Sequence, residues 1–300
     1  MPRELRLICH PFHNGLEGID MGAGPLRLVG DPSISDELRA QGWDLQLETI
    51  ETPDPNDPEI VRIAEGDRRL ARRVRAAHEG GAFPLVLAGN CNSCLGTVAG
   101  LGPVGVVWFD AHADFDTPDR SLGFFDGMGL AILTGNGWEL LRQTIPGFMP
   151  VDERDVVLVG VRDLEEHQRA PLDASAMRIL PGPSFDSTGF LHALDELRQR
   201  ASRTYLHIDL DVLDTSEGRA NRFAAAGGLS AQQLEWAVEM VFRRSAVAAA
   251  ALTAYDPGLD EDGRMARAAS RVIATVARSA LESGPPPPGG PDAPSFRLRR

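Results

Sequence analysis

Residues 104–116 read V-G-V-V-W-F-D-A-H-A-D-F-D, an apolar run that breaks abruptly into three aspartates and a histidine. An apolar run with no polar alternation is the pattern of a central parallel strand covered on both faces. Side chains two apart on an extended chain share a face, so Asp110, His112 and Asp114 are expected to converge at the strand's carboxyl end. In open α/β sheets that edge is where ligands bind. A second stretch, residues 204–214, T-Y-L-H-I-D-L-D-V-L-D, repeats the pattern and sets Asp209 and Asp211 on one face. Two carboxylates buried side by side repel and lose hydration unless something positive lies between them. A divalent cation meets that need. Five donors on two strand ends exceed what one hard ion takes, which points to a binuclear site with bridging carboxylates. Oxygen-rich ligation with one imidazole suits Mn²⁺ better than structural zinc.

Outward from these two stretches, strand and helix signals alternate regularly. Residues 5–9, 43–50, 84–88, 155–161, 177–180 and 248–254 add six strand signals, the stretch at 43–50 alternating as an edge strand does. The expectation is a three-layer α/β/α domain around a mainly parallel eight-stranded sheet, spanning residues 1–282. Asp57 with Pro58 is read as the start of a helix whose inner face is Ile63, Leu70, Val74 and Ala77. Ser230 with Gln233 forms a capping box before Leu234, Ala237, Val238 and Val241. Residues 283–300, containing P-P-P-P-G-G, cannot bury a core and are expected to be a disordered tail.

The 300 residues include 43 acidic and 30 basic ones, for a formal charge of -13. That balance repels nucleic acid and anionic membrane and favours a small-molecule substrate. No apolar stretch reaches the length of a membrane span and M-P-R-E-L-R lacks a signal-peptide core, so a cytoplasmic location is expected. Three cysteines, an odd number, argue against a disulfide framework.

D-A-H-A-D at 110–114 and H-I-D-L-D-V-L-D at 207–214 resemble the D-A-H-x-D and S-x-D-x-D-x-x-D-P motifs of the ureohydrolases, the family of arginase, agmatinase and formiminoglutamase. G-x-x-x-G-A-G-P-L-R from Gly18, V-G-V-R-D-L-E-E from Val159 and G-G-L-S at 227–230 extend the resemblance to about residues 5–282. It implies an arginase-like fold, two Mn²⁺ per chain and homo-oligomers. Metal ligands carried over are Asp110, His112, Asp114, Asp209 and Asp211, with Asp110 and Asp209 bridging, His112 and Asp211 completing one site and Asp114 serving the other.

Three positions depart from the family. Cys91, in G-N-C-N-S-C, stands where the family carries the ligand histidine of G-G-D-H-S. A thiolate there keeps a metal site but moves preference towards Zn²⁺ or Fe²⁺. With Cys94 it also spells C-x-x-C, which alone suggests redox chemistry. Asp126 occupies the place of a proton-shuttling histidine and, with Asp114, is a candidate catalytic acid; otherwise it caps the helix that follows. Ala254 replaces the glutamate that holds the substrate's guanidinium, with Asp256 two residues on as a compensating carboxylate. His10 and His13 are loop histidines able to line a site, and His207 is read as a core histidine. The function implied is hydrolysis of a C–N bond in a small guanidino, amidino or ureido compound through a metal-bridging hydroxide. The alternatives are a mononuclear deacetylase-like amidohydrolase and a metal-binding pseudoenzyme.

Overall fold

The computed structural model describes residues 3–119, 124–182 and 185–284. β1 (Glu4–His10) is followed by a two-rung hairpin, β2 (Phe12–His13) with β3 (Leu16–Glu17), then by helices α1 (Ala23–Val29) and α2 (Pro32–Ala40). β4 (Asp44–Thr49) leads to the long helix α3 (Glu59–Glu79), then β5 (Phe83–Ala88), α4 (Cys94–Leu101) and β6 (Gly105–Phe109). Helices α5 (Gly129–Leu133) and α6 (Glu139–Arg142) precede β7 (Val156–Val159), α7 (Glu166–Ala174), β8 (Arg178–Leu180) and α8 (Ser187–Arg200). The chain then runs through β9 (Thr204–Asp209), α9 (Ala231–Arg244), β10 (Val247–Thr253) and α10 (Arg264–Ser283).

Eight strands make one sheet in the order β4-β1-β5-β10-β9-β6-β7-β8, and every neighbouring pair is parallel. The four central strands, β5, β10, β9 and β6, are buried along their whole length. That is why they read as unbroken apolar runs. Their side chains divide by parity into two cores. Leu85, Leu87, Val107, Phe109, Leu206 and Ile208 meet α2, α8, α9 and α10 on one face. Val86, Ala88, Val106, Trp108 and Tyr205 meet α3, α4 and α5 on the other. The three-layer expectation holds. β4 is an edge strand, as its alternation indicated.

Of the two helix starts read from sequence, one needs adjustment. The capping box at Ser230 and Gln233 forms as read. Helix α3, however, begins one residue late: Pro58 occupies the N-cap position in an extended conformation, while the Asp57 N–H closes a turn onto the Asp54 carbonyl. The inner face named from sequence is nonetheless buried at Ile63, Leu70, Val74 and Ala77. Of the expected tail, residues 285–300 lie outside the described residues, and α10 continues to Ser283. Among the described residues no helix is long and apolar enough to cross a membrane.

Gly89 positions the site from the fold side. A Cβ there would lie 2.3 Å from the Phe12 carbonyl oxygen and 2.7 Å from the Gly22 Cα. Only glycine lets the loop after β1 lie across the end of β5, beside the turn that carries Cys91.

Candidate metal centre

The carboxyl ends of β5, β10, β9 and β6 open into a cavity of about 820 Å³, lined among others by Cys91, His112, Asp114, Asp126, Asp209, Asp211 and Ala254. Asp110, just past β6, is buried behind these residues and not part of the lining itself. Its Oδ2 accepts the Trp108 indole N–H at 2.9 Å and its Oδ1 accepts the His112 backbone N–H at 2.7 Å. Asp211 is held by the Ala111 N–H (3.2 Å) and the Asn221 amide (3.1 Å). Asp209 accepts the Asp211 N–H at 2.8 Å through Oδ1 and receives the Cys91 Sγ at 3.0 Å on Oδ2. Asp211 is aimed by a donor from the neighbouring β6 end, Asp209 by the thiol that follows β5 and Asp110 by donors of its own segment, an outer set of contacts of the kind that orients metal ligands.

Donor atoms fall into two groups, each within 4.8 Å: Asp110, His112 and Asp211 form one, and Cys91, Asp110 and Asp114 the other. Asp110 is common to both. The partition has a backbone cause. Asp114 sits in the left-handed region at φ 47°, which breaks the strand alternation after β6 and turns this carboxylate away from His112 towards Cys91. Asp209 belongs to neither group at that spacing and touches Cys91 instead.

The two groups differ in charge balance. His112 Nδ1 lies 3.3 Å from Asp110 and 3.4 Å from Asp211. Burial works against the imidazolium, but those two carboxylates outweigh it and push His112 up to about 12. Burial likewise raises Asp211, yet the His112 charge and the hydrogen bonds from His112, Asn221 and Ala111 bring it down to about 2. At Asp114 and Asp209 burial first, then neighbouring aspartates, push both well above the carboxylate range, the His112 charge offsetting this only in part at Asp114. Burial and the adjacent Asp209 raise the Cys91 thiol in the same way. Three buried carboxylates and the half-buried Asp114 against one imidazolium form a site suited to added positive charge, and the two donor groups fit divalent ions.

Around this centre the structure sorts the remaining candidates. Asp126 does not cap the following helix. It is buried in the cavity wall, where Oδ1 accepts the Asn92 N–H at 3.2 Å and Oδ2 contacts the Asn90 amide. Burial raises Asp126 to about 7 against those hydrogen bonds. His13 lines the cavity, and the Asn90 amide sits 3.1 Å from its Nδ1. His10 instead packs edge-on against Phe12. His207 is a core histidine, stacked on Trp108 at 3.5 Å and hydrogen-bonded to the Tyr205 hydroxyl at 2.8 Å, with burial depressing it to about 3. Cys94 is buried away from Cys91, its Sγ 3.6 Å from the Gly129 carbonyl, and all three cysteines are free.

Asp256 corrects an expectation. Ala254 adopts φ 62°, so strand alternation ends there and Asp256 is not carried to the same face. It accepts the Gly258 N–H at 2.9 Å, and the cavity lining contains Ala254 but not Asp256. Several lining residues escaped the sequence reading: Asn14, Asp116, Phe124, Asp163, His167 and the run Asn221, Arg222, Phe223. The rule that loops after parallel strands line the ligand edge was the available signal for these. Arg162, within the motif that starts at Val159, clamps the Asp211, Leu213 and Ala225 carbonyls and so braces the loop after β9.

Parallel topology with an acid, imidazole and thiol centre at the carboxyl edge of the sheet defines an α/β protein with a candidate metal site. The sequence model of the arginase family matches residues 7–278, and the chain belongs to that family. It is 29% identical over 279 residues to an arginase of Bacillus caldovelox, covering 86% of this chain and 92% of that one. An arginase of Bacillus subtilis strain 168 is 27% identical, with 92% and 98% covered. The crystal structure of arginase from Bacillus subtilis superposes with a TM-score of 0.80 at 26% identity, covering 92% of this chain and 98% of that one.

Proposed function

We propose that this chain hydrolyses a C–N bond in a small guanidino, amidino or ureido compound, using two divalent metal ions. The observation that carries this reading is the pair of donor groups sharing the buried Asp110, whose other members His112, Asp211, Cys91 and Asp114 line the cavity, in a chain of the arginase family. His112, Asp110 and Asp211 would hold one ion, and Cys91, Asp110 and Asp114, with Asp209 against the thiol, the other. Ions so held lower the pKa of bound water and polarise the carbon under attack. Asp114 and Asp126 are the carboxyl groups in the cavity available to carry a proton to the departing nitrogen. Mn²⁺ suits the aspartates and the imidazole; the thiol of Cys91 favours Zn²⁺ or Fe²⁺ at its own group.

Substrate preference follows from Ala254. A cationic guanidinium facing a methyl group lacks a charge-assisted bond worth about 1.5 to 3 kcal/mol. Asp256 does not supply it, since it is engaged at Gly258. Less basic groups, an N-hydroxyguanidine, a ureido group or an amide, lose little by the change. A homo-oligomer, as the resemblance implies, and a cytoplasmic location, as expected from the sequence, are consistent with such an enzyme.

Two donor groups favour this reading over a mononuclear amidohydrolase, and the retained acids favour it over a pseudoenzyme. Metal content of the purified chain, measured together with hydrolysis of a panel of guanidino, ureido and amide compounds, tests it. About two ions per chain with turnover of neutral substrates is expected. One ion per chain supports the mononuclear alternative, and metal without turnover across the panel supports the pseudoenzyme.

A further inference from the structure

Phe124 and Phe223 are the two aromatic side chains among the large apolar ones left exposed in the described residues, at 39% and 37%. Both line the cavity. They come from different segments, one following β6 and one following β9, yet their ring centroids lie 5.3 Å apart. Phe223 also stands edge-on to the His112 ring at 6.3 Å. Its placement is braced on both sides. The Phe223 N–H donates to the fully buried Asn221 at 2.8 Å, and the same Asn221 amide donates to Asp211 and to the Ala254 carbonyl. Arg222 lies 5.9 Å over the Phe223 ring and pairs with Asp20 at 3.1 Å.

Two phenyl rings with two-fifths of their surface in water are a standing cost that an apolar ligand group removes. Here the exposed surface is continuous with the candidate centre, one ring away from His112. Asp163, Glu165 and His167 reach the cavity from the segment after β7 and through α7, on the other side of β6 in the sheet. The cavity therefore carries its exposed aromatic pair on the β9 side, beside Arg222, and the carboxylates of Asp163 and Glu165 on the β7 side.

We propose that Phe124 and Phe223 form a specificity clamp for an uncharged apolar substituent, alkyl or aryl, attached to the group that is hydrolysed. This rests on the hydrolytic reading of the centre and narrows it. The substrate class becomes a neutral C–N compound with a hydrophobic arm, in keeping with the methyl group at Ala254 in place of a carboxylate.

Hydroxamates test the clamp, because their two oxygens chelate a divalent ion whatever the protein hydrolyses, leaving the tail to report on the cavity. Binding of acetohydroxamate, hexanohydroxamate, benzohydroxamate and 6-aminohexanohydroxamate to the metal-loaded full chain is measured by calorimetry, alongside hydrolysis of the panel above. Each buried methylene is worth about three- to fourfold, so the hexano and benzo compounds should bind on the order of tenfold or more tighter than the aceto compound. Phe223→Ala should abolish that preference and Phe223→Leu should retain part of it. Leu140→Ala, an exposed site outside the cavity, should leave it unchanged.

Equal affinity for short and long tails overturns the proposal. So does tightest binding of the ammonium-tailed compound, which would assign recognition to the acidic side. A change in sedimentation mass on Phe223→Ala with no change in tail preference would assign the rings to an interface between copies of the chain. An inert substrate panel with tail preference intact would overturn the hydrolytic reading while supporting the clamp, and no hydroxamate binding at all would overturn both.

Discussion

The two halves of the centre solve the same electrostatic problem differently. On the β6 and β9 side, His112 sits between Asp110 and Asp211 and balances them, so that imidazolium and carboxylate stabilise each other's charged forms. On the β5 side, Cys91 lies between Asp114 and Asp209 without an imidazolium in the group, and burial pushes all three towards their neutral forms. Every departure from the family motifs lies on this second half or beside it: Cys91, Asp126 across Asn90, and Ala254 at the end of β10. The first half balances its charge within itself, whereas the second is relieved only by protonation of its acids and thiol.

The most damaging change to this picture is at the residue both halves share. Asp110→Ala removes a donor from each group, so metal content should fall from about two ions per chain to near zero. Loss of bound metal also removes stabilisation by mass action, about 2.7 kcal/mol at a hundredfold excess over Kd. The metal-dependent rise in Tm, on the order of 5 °C or more at that occupancy, should vanish. Retention of two ions would show that the halves do not meet at Asp110.

Cys91→Ala divides the halves. It should leave the His112 group occupied and halve metal content, whereas Cys91→His should keep two ions and move preference from Zn²⁺ towards Mn²⁺. Elemental analysis after dialysis against each metal reads both outcomes. Full loss of metal from Cys91→Ala would mean that the balanced half cannot load alone.

At the boundary of the second half, Ala254→Glu restores a carboxylate to the cavity wall. A gain of about 1.5 to 3 kcal/mol for a cation corresponds to roughly tenfold or more in kcat/KM for arginine or agmatine at 1.4 kcal/mol per decade. The parent chain should turn these over poorly. Parent values of about 10⁴ M⁻¹s⁻¹ or above, in the range of efficient enzymes, would show that another group in the cavity already serves as counter-charge.

The contrast between the halves also explains how far the sequence could be read. β6 and β9 were legible because burial on both faces writes an unbroken apolar run, and the acids that follow have no structural reason to be there. Asp110, His112, Asp209 and Asp211 could be placed from that pattern alone. Residues beyond a strand's end could not, because alternation assumes extended backbone. At Asp114 and Ala254 the chain turns left-handed, which sent Asp114 to Cys91 and kept Asp256 off the cavity. Asn14, a third cavity residue, has φ 52°. Such strain gathers at functional sites and leaves little trace in residue type. The same limit hid Asn221 and Phe223: nothing in a polar loop sequence tells which amide reaches two strand ends or which ring stays exposed. The hairpin of β2 and β3, two residues per strand, is too short for any periodicity to register.

The smallest expected effect separates a ligand thiol from a merely neighbouring one. Cys91 and Cys94 are three residues apart and equally buried, but α4 begins at Cys94 and turns its Sγ to the Gly129 carbonyl, away from the aspartates. Cys94→Ser exchanges a weakly bonded thiol for a hydroxyl in an apolar setting. A buried hydroxyl with an imperfect partner costs about 1 to 3 kcal/mol, so Tm should drop by several degrees while metal content and substrate preference stay as in the parent. If Cys94→Ser instead matches Cys91→Ala in metal loss or turnover, and reductant changes the activity of the parent chain, the two thiols act as a pair. The difference drawn between them here, and the assignment of Cys91 to the metal, would then fail together.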